Sequence, residues 1–283
     1  MKSVSKLVLI TASAVLSTSI AACGGTAASS PSGSGDANCK PAHTFSTLQQ
    51  GKLTVSVYVS PPYTELASAG ASAGGVDGKI LSKIAEAECL TLAASPVDGA
   101  ALINSVVSKR ADLAIGGVYH TEDRAKVLNL SDPMYRDGMA ILSKEGHSSL
   151  ASLNGKSVGV IQGYLWNKEL QDALGTDNVK VYQDSTSLLA DLEAGRLEAG
   201  TLTSAEAANR AKKSTSGLKA ADFEPDSKVP SSSAPGKVIL AMTKGNEEMT
   251  KAFNADIEKL ISDGSIAEIL KAEGMSANLA GKG

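Results

Sequence analysis

The feature that most constrains the fold is an internal repeat. The segment 101–115, ALINSVVSKRADLAI, aligns with the segment 187–201, SLLADLEAGRLEAGT. In both copies apolar residues recur at helical spacing, and a basic–apolar–acidic triplet then leads into a short strand-like run. A Gly-Lys pair followed by a strand-like run precedes each copy, in GKLTVSV (51–57) and GKSVGVIQG (155–163). The sequence therefore predicts two similar halves, each built of strand, helix and strand.

Strands that alternate with helices predict an α/β fold with mostly parallel sheets covered by helices on both faces. We expect helices at about residues 78–90, 99–109, 165–173 and 187–194. The tail predicts one more strand and two helices separated at Asp263-Gly264, which we expect to return to the first half. Ligands bind beyond the carboxyl ends of parallel strands. The loops expected to meet at one cleft are therefore those after Val57, Ile115, Ile161 and Thr201.

The first 22 residues predict a signal peptide: a basic start, a short apolar run and the small residues AAC. The ending IAAC resembles a bacterial lipobox, in which the cysteine, here Cys23, is lipidated and becomes the new first residue. An ordinary signal peptide cleaved nearby is the alternative. Residues 23–38 predict a flexible Gly/Ser-rich tether with a reach of roughly 20 Å. With Cys23 lipidated, Cys39 and Cys89 remain as a pair for a structural disulfide in an oxidising compartment.

Composition and motifs exclude several classes of function. The chain has 27 basic and 30 acidic residues without a basic cluster, which argues against nucleic-acid binding. The isolated histidines show no metal-ligand spacing, so no metal is predicted at His43, His120 or His147. The motif GKSVG (155–159) has the spacing of a hydrolase nucleophile elbow, but Ser157 opens a strand and no histidine follows that strand to complete a triad.

The segment GGVYHTEDRAKVLNLSDP (116–133) has the features of an anion site. Thr121 is a good helix N-cap, and Arg124 follows in the first helical turn, where backbone N–H groups favour an anion. A planar guanidinium can also hold a carboxylate through two charge-assisted hydrogen bonds. A surface salt bridge, for example to Asp132, is the alternative for this arginine.

The stretch TEDRAKVLNLSDPMY resembles the T-x-x-R-A-K…S-x-P-x-Y segment of bacterial extracellular solute-binding proteins of family 3, the capture subunits of polar amino-acid ABC importers. The resemblance runs from about Gly51 to Gly274. It also includes GKLTVSVYVSPPYTE, GGVDGKILSKIAE, LNGKSVGVIQG, DLEAGRLEAGT and LISDGSIAEIL.

The resemblance implies a two-lobed periplasmic-binding-protein-like fold of type II. Each lobe would hold a mixed, mostly parallel sheet flanked by helices. Two crossover hinge segments would lie near Ala140–Ser143 and Val238–Met242. The ligand would be held between the lobes with Arg124 on its α-carboxylate, and no bond would be made or broken. The implied division of the body is 39–141 plus 238–283 for lobe 1 and 142–237 for lobe 2.

Several ligand positions depart from the family pattern. Tyr119 stands where the family usually has a small hydroxyl residue, two places after Gly117. Gly163-Tyr164-Leu165 replaces a Gly-Thr-Thr turn. Thr203 replaces an aspartate that usually binds the α-ammonium group, and Ser60 stands where many members have an aromatic residue.

Aromatic residues concentrate at the predicted cleft. Of the ten in the chain, five fall on or beside its loops: Tyr58, Tyr63, Tyr119, Tyr164 and Trp166. Aromatic faces suit a flat ring or a cation. We therefore expect a small carboxylate whose other end is aromatic or a diffuse cation, with a polar amino acid as the alternative. The predicted ligand-binding set is Arg124, Tyr119, Gly117, Tyr63, Tyr164, Leu165, Trp166, Thr203 and Ser60.

The resemblance implies a monomeric solute-binding lipoprotein outside the cytoplasm, anchored to the cell membrane through Cys23, that needs no cofactor. Its partners would be the permease and ATPase subunits of an ABC importer, and it would not be an enzyme. Two alternatives remain open. One is an enzyme resembling cyclohexadienyl dehydratases, which needs a buried acid in the cleft and for which Glu65 is the candidate. The other is a receptor that presents its ligand to a sensor kinase.

Overall fold

The computed structural model describes residues 39–66 and 72–281. The predicted signal peptide (1–22), the lipidation site Cys23 and the tether (23–38) lie outside the described residues. Within the described ranges, no helix is long and apolar enough to cross a membrane.

The body is a mixed α/β structure. The described residues form the helices α1 Gly75–Ala87, α2 Gly99–Val107, α3 Glu122–Val127, α4 Asn167–Leu174, α5 Ser185–Glu193, α6 Ser204–Lys213, α7 Glu247–Ser262 and α8 Ser265–Ala272. The strands are β1 Lys52–Val57, β2 Glu65–Leu66, β3 Ala73–Gly74, β4 Thr91–Pro96, β5 Leu113–Ile115, β6 Leu128–Leu130, β7 Tyr135–Asp137, β8 Met139–Ser143, β9 Val158–Ile161, β10 Val179–Tyr182, β11 Ala199–Thr203, β12 Lys219–Asp222, β13 Gly236–Val238 and β14 Ala241–Thr243.

Two five-stranded sheets share one plan. The first has the order β4-β1-β5-β14-β6 and the second has the order β10-β9-β11-β8-β12. In the first sheet β1 is parallel to β4 and β5, and β14 is antiparallel to both of its neighbours. In the second sheet β9 is parallel to β10 and β11, and β8 takes the antiparallel position of β14. The two-lobed α/β architecture predicted from the repeat is confirmed, but each sheet is mixed, with two parallel and two antiparallel strand pairs, instead of mostly parallel.

The repeated helices also bury equivalent residues. Leu102 and Val106 of α2 are buried, as are their counterparts Leu188 and Leu192 of α5. Each helix therefore covers its own sheet with the apolar stripe that the periodicity predicts. The acids that follow the two helices match as well, because each accepts a hydrogen bond from the backbone beside the first strand of its half.

The chain passes between the two sheets through a short antiparallel ribbon. β7 pairs with β13, with Tyr135 opposite Val238, and β8 of the second sheet begins two residues after β7 ends. The ribbon lies a few residues before the predicted crossovers, which fall mainly inside β8 and at β14. From β13 the apolar sequence continues through Ile239 and Leu240 into β14, so hydrophobicity alone does not mark that boundary. The lobe limits at residues 141/142 and 237/238 stay a prediction.

The C-terminal helices pack on the first half, as expected. α7 and α8 contact α1, and α7 also contacts β6. A disulfide joins Cys39 to Cys89, which lies directly after the C-cap residue of α1. The predicted disulfide is confirmed, and it ties the beginning of the described body to the end of its first helix.

Candidate ligand-binding site

A cavity of about 60 Å³ lies where the strand ends of both sheets meet. It is lined by residues that follow β1, β5 and β9, by the start of α2, and by Thr203 at the end of β11. The rule that ligands bind at carboxyl ends of parallel strands predicts this position. The lining residues are Tyr58, Gly99, Leu102, Ile103, Gly116, Gly117, Val118, Tyr119, Arg124, Gln162, Gly163, Tyr164, Leu165, Trp166 and Thr203.

Arg124 reaches from the first half of the chain to the second. Its backbone N–H donates to Thr121 Oγ1 at 3.1 Å, so Thr121 caps α3 as predicted. Its guanidinium donates to the Tyr119 carbonyl and, at 3.2 Å, to the carbonyl of Gly163. None of the ion pairs among the described residues involves this arginine. Burial lowers its pKa to about 10, so it remains a cation at neutral pH and can still attract a carboxylate.

Other backbone contacts join loops of the two sheets around the cavity. The hydroxyl of Tyr58 accepts a hydrogen bond from Ser185 N at 3.2 Å. Gly99 N donates to Gln183 O at 3.3 Å. A Cβ atom at Gly99 would lie 2.7 Å from the carbonyl oxygen of Gln162, so this close approach requires glycine.

Three aromatic side chains form one wall of the cavity. Tyr164 makes edge contacts with Tyr58 and Trp166, with ring centroids 6.4 Å and 5.2 Å apart. Trp166 is 1% exposed, and its indole N–H donates to Thr201 Oγ1 at 3.1 Å. This wall combines apolar ring surface with satisfied polar ends, which is typical of a site for a ring or a diffuse cation.

A buried carboxylate lies behind this wall. Glu206, near the start of α6, is fully buried and accepts a hydrogen bond from the Tyr164 hydroxyl at 2.9 Å. Arg210 donates to its other oxygen at 3.4 Å. The sequence analysis did not predict Glu206, because an acid in the first turn of a helix is common and does not by itself indicate a binding site. Glu65, the acid placed near the cleft by sequence, is exposed on β2 and does not line the cavity.

Tyr119 connects the cavity to the ribbon between the sheets. Its hydroxyl donates to the Gly138 carbonyl at 3.0 Å. A Cβ atom at Gly236 would lie 2.3 Å from its ring. The side chain therefore packs on the crossover while one face lines the cavity, so it has a structural role in addition to the predicted contact with ligand.

Two predicted site residues, Tyr63 and Ser60, do not line the cavity. Tyr63 is fully buried, stacks on Tyr135 at 6.3 Å, and donates its hydroxyl hydrogen to Asp137 of the ribbon. Ser60 forms the turn that leads to Tyr63, where its carbonyl accepts the Tyr63 N–H at 2.9 Å. The position of Tyr63 could not be predicted from the sequence, because its ribbon partners Tyr135 and Asp137 are distant in the chain.

The remaining predicted residues, Gly117, Leu165 and Thr203, do line the cavity. Gly117 N donates to the buried Asp77 at 2.8 Å, so that amide is already bonded within the protein. Thr203 is 5% exposed, and its hydroxyl oxygen has no hydrogen-bond partner among the described residues. A buried hydroxyl without a partner is costly, which makes Thr203 a polar group that a ligand can satisfy.

The sequence matches bacterial extracellular solute-binding proteins, family 3, over residues 53–272. The chain belongs to this family. It is 30% identical to the L-cystine-binding protein TcyJ of Escherichia coli (strain K12), over 58% of this chain and 60% of that protein. It is 27% identical to ABC transporter arginine-binding protein 1 of the same strain, over 55% of this chain and 64% of that protein. Each match thus spans less than two thirds of the relative's length.

The fold resembles that of solved amino-acid-binding proteins. One structure, an ancestral arginine-binding protein bound to glutamine, has a TM-score of 0.70 and 27% sequence identity, with 79% of this chain and 98% of that chain covered. The relatives are solute-binding proteins rather than enzymes. Together with the disulfide, the family indicates that the body of this chain lies outside the cytoplasm.

Proposed function

We propose that this protein is the solute-binding lipoprotein of an ABC importer and that it captures a small solute bearing a carboxylate. The observation that carries this proposal is Arg124, a partly buried cation at the cavity that contacts two carbonyl groups and, within the described part of the chain, no carboxylate. A carboxylate ligand supplies the missing negative charge and can take both arms of the guanidinium.

The opposite side of the cavity favours a ligand whose other end is aromatic or cationic. Tyr58, Tyr164 and Trp166 offer ring faces and edges, and Glu206, which pairs with Arg210, fixes the Tyr164 hydroxyl behind them. Relatives named for binding arginine and cystine agree with an amino-acid-like ligand. An ordinary polar amino acid is the second ligand class to be tested.

Capture would proceed by movement of the lobes about the ribbon. A hydrogen bond from Arg124 to the Gly163 carbonyl joins the two sides of the cavity. A ligand of amino-acid size therefore enters after Arg124 and Gly163 have separated, and closure re-forms contacts from both sides. Because ligand touches both lobes, its binding free energy favours the closed state.

The remainder of the proposal concerns location and partners. Lipidation at Cys23 would hold the mature protein at the outer face of the cell membrane, with residues 23–38 as a tether. The closed form would deliver ligand to permease and ATPase subunits, as the family role implies. The supporting features are the lipobox sequence IAAC and the Gly/Ser-rich segment after it.

The test is a thermal-shift screen of the mature protein against amino acids, aromatic acids and betaines, followed by calorimetry and small-angle scattering. A true ligand raises the melting temperature and reduces the radius of gyration. A screen in which no carboxylate binds would refute the proposal. Turnover of prephenate or arogenate by the same preparation would instead show the enzyme alternative.

A further inference from the structure

A second polar cluster lies outside the cavity. It combines His43 from the segment before β1, Glu88 at the C-cap of α1, and Asp256 in the middle of α7. One ring nitrogen of His43 and one oxygen of each carboxylate all lie within 4.8 Å of one another. His43 Nδ1 is 2.5 Å from Glu88 Oε1. Three separate elements thus direct three ligand-type atoms to one point.

The two carboxylates are buried beside a single imidazole, which pairs with Glu88. Glu88 is 3% exposed and Asp256 is 5% exposed. One oxygen of Glu88 accepts the backbone N–H of His43 at 3.0 Å, whereas Asp256 Oδ2 has no hydrogen-bond partner among the described residues. Two buried carboxylates beside one imidazole are costly unless a further cation or a proton compensates them.

We propose that His43, Glu88 and Asp256 bind one divalent metal ion of the zinc class. A nitrogen and two carboxylate oxygens form a donor set that suits Zn²⁺, whereas Ca²⁺ and Mg²⁺ prefer all-oxygen sites. The imidazole is 37% exposed, which leaves room for water at a fourth position. The proposal is independent of the proposed function, since none of these residues lines the cavity.

The geometry requires only small movements for metal binding. Tetrahedral Zn²⁺ with bonds of about 2.1 Å separates its donor atoms by about 3.4 Å. The His43–Glu88 pair therefore opens slightly and the Asp256 oxygen moves closer. The hydrogen bond from the His43 backbone to Glu88 fixes the orientation of that carboxylate, as outer partners of metal ligands do.

The metal would hold the start of the body against α1 and α7, close to the Cys39–Cys89 disulfide. Sequence spacing does not reveal this site, because His43 and Glu88 are 45 residues apart and Asp256 lies on a helix near the other end of the chain. The usual short ligand motifs are absent for that reason.

The test is a titration of the chelator-treated mature protein with Zn²⁺ by calorimetry. We expect one ion per chain and a melting temperature several degrees higher in Zn²⁺, with no rise in Ca²⁺ or Mg²⁺. His43→Gln and Asp256→Asn should each weaken Zn²⁺ binding at least tenfold. His147→Gln is the matched control, since its imidazole lies 4.0 Å from the exposed Glu145, and it should keep wild-type affinity.

A spectroscopic measurement on the wild type covers the case in which variants fail to fold. Co²⁺ at this site should give the strong visible absorption of a four-coordinate complex, and Zn²⁺ should displace it at one equivalent. Absence of Zn²⁺ binding, a weak six-coordinate Co²⁺ spectrum, or unchanged affinity in a folded His43→Gln protein would each overturn the proposal.

Discussion

At the scale of single residues, Arg124 and Tyr119 contribute to the cavity in different ways. Arg124 offers a charge that no carboxylate among residues 39–66 and 72–281 neutralises. Tyr119 donates its hydroxyl hydrogen to Gly138, directly after β7, and its ring lines the cavity. Substitutions at the two positions should therefore separate affinity from stability.

Arg124→Lys should reduce affinity for the ligand found in the screen by about tenfold to a hundredfold. Lysine keeps the charge but loses the planar fork, and hydrogen bonds to charged groups contribute about 1.5–3 kcal/mol. Calorimetry measures the effect. Arg110→Lys is the control, because the Arg110 side chain is exposed and its only hydrogen bond to a described residue is to Ser108. Wild-type affinity in Arg124→Lys would show that the carboxylate binds elsewhere.

Tyr119→Phe should lower the free energy of unfolding by about 1 kcal/mol through the lost hydrogen bond, with affinity nearly unchanged. Tyr119→Ala also removes the ring from Gly236 and should cost about 3–5 kcal/mol and weaken binding. Urea denaturation and calorimetry separate the two effects. Equal losses of affinity in both variants would assign the binding role to the hydroxyl instead of the ring.

Trp166 should report ligand binding by fluorescence, since it is the only tryptophan in the chain and lines the cavity. Movement of the lobes changes the surroundings of its ring and of the Tyr164 edge packed on it. We expect a saturable change in emission that follows the calorimetric isotherm. An unchanged spectrum at proven saturation would contradict the assignment of this cavity as the ligand site.

At the scale of elements, the ribbon of β7 and β13 carries an unusual buried carboxyl group. Burial raises the pKa of Asp137 to about 7, and its partners are the Tyr63 hydroxyl and Ala205 N, the latter at 3.3 Å. Tyr63 belongs to the first half, whereas Ala205 lies on α6 of the second. Asp137 therefore links both halves at the point where the chain crosses.

This carboxyl group should make stability depend on pH. A carboxyl in the unfolded chain has a pKa near 3.9, so the folded protein binds the proton more tightly. Its contribution is fully present below about pH 4 and is lost as the pH rises through about 7, with a cost on the order of a few kcal/mol. Asp137→Asn should remove this contribution and make the fall shallower, since the buried Asp77 also has a raised pKa. Urea denaturation from pH 4 to 8 measures it, and equal pH profiles in both proteins would contradict the prediction.

The sequence was most informative where the repeat is local. The spacing in α2 and α5 predicted which leucines are buried. The acids that follow the two helices occupy equivalent positions, since each accepts a backbone N–H in or beside the first strand of its half. The sequence predicts the start of α1 at about residue 78, whereas the helix begins at Gly75. Glycines normally interrupt a helix, but at Gly78 a Cβ atom would lie 2.2 Å from the Ala73 carbonyl oxygen, so close packing requires one there.

The site could be predicted only in part, because only some of its contacts are local in the sequence. Loop positions at strand ends gave Arg124, Tyr119 and the Tyr164–Trp166 turn, which line the cavity. Glu206 and the ribbon contacts of Tyr63 depend on pairings between distant segments. Periodicity and local motifs contain no information about such pairings.

At the scale of the whole molecule, the disulfide stabilises the body by restricting the unfolded chain. The two cysteines are 50 residues apart, and closing a loop of that length contributes about 4 kcal/mol in the chain-entropy treatment. Reduction of the exported protein should lower its free energy of unfolding by about that amount. The double variant Cys39→Ser, Cys89→Ser should be equally weakened and insensitive to reductant. Equal stability of oxidised and reduced protein would contradict this account.

The strand order of the two sheets also has a consequence for the timing of assembly. β8 to β12 are contiguous in the chain, so the second sheet can form once the chain is available to residue 222. The first sheet cannot, because β14 lies between β5 and β6 and is the last of its strands in the chain. Before residue 243 is available, β5 has no partner on its β14 side and β6 is not joined to the sheet. The half that begins first is therefore completed second, and its unpaired strand edges are open to wrong pairing until then.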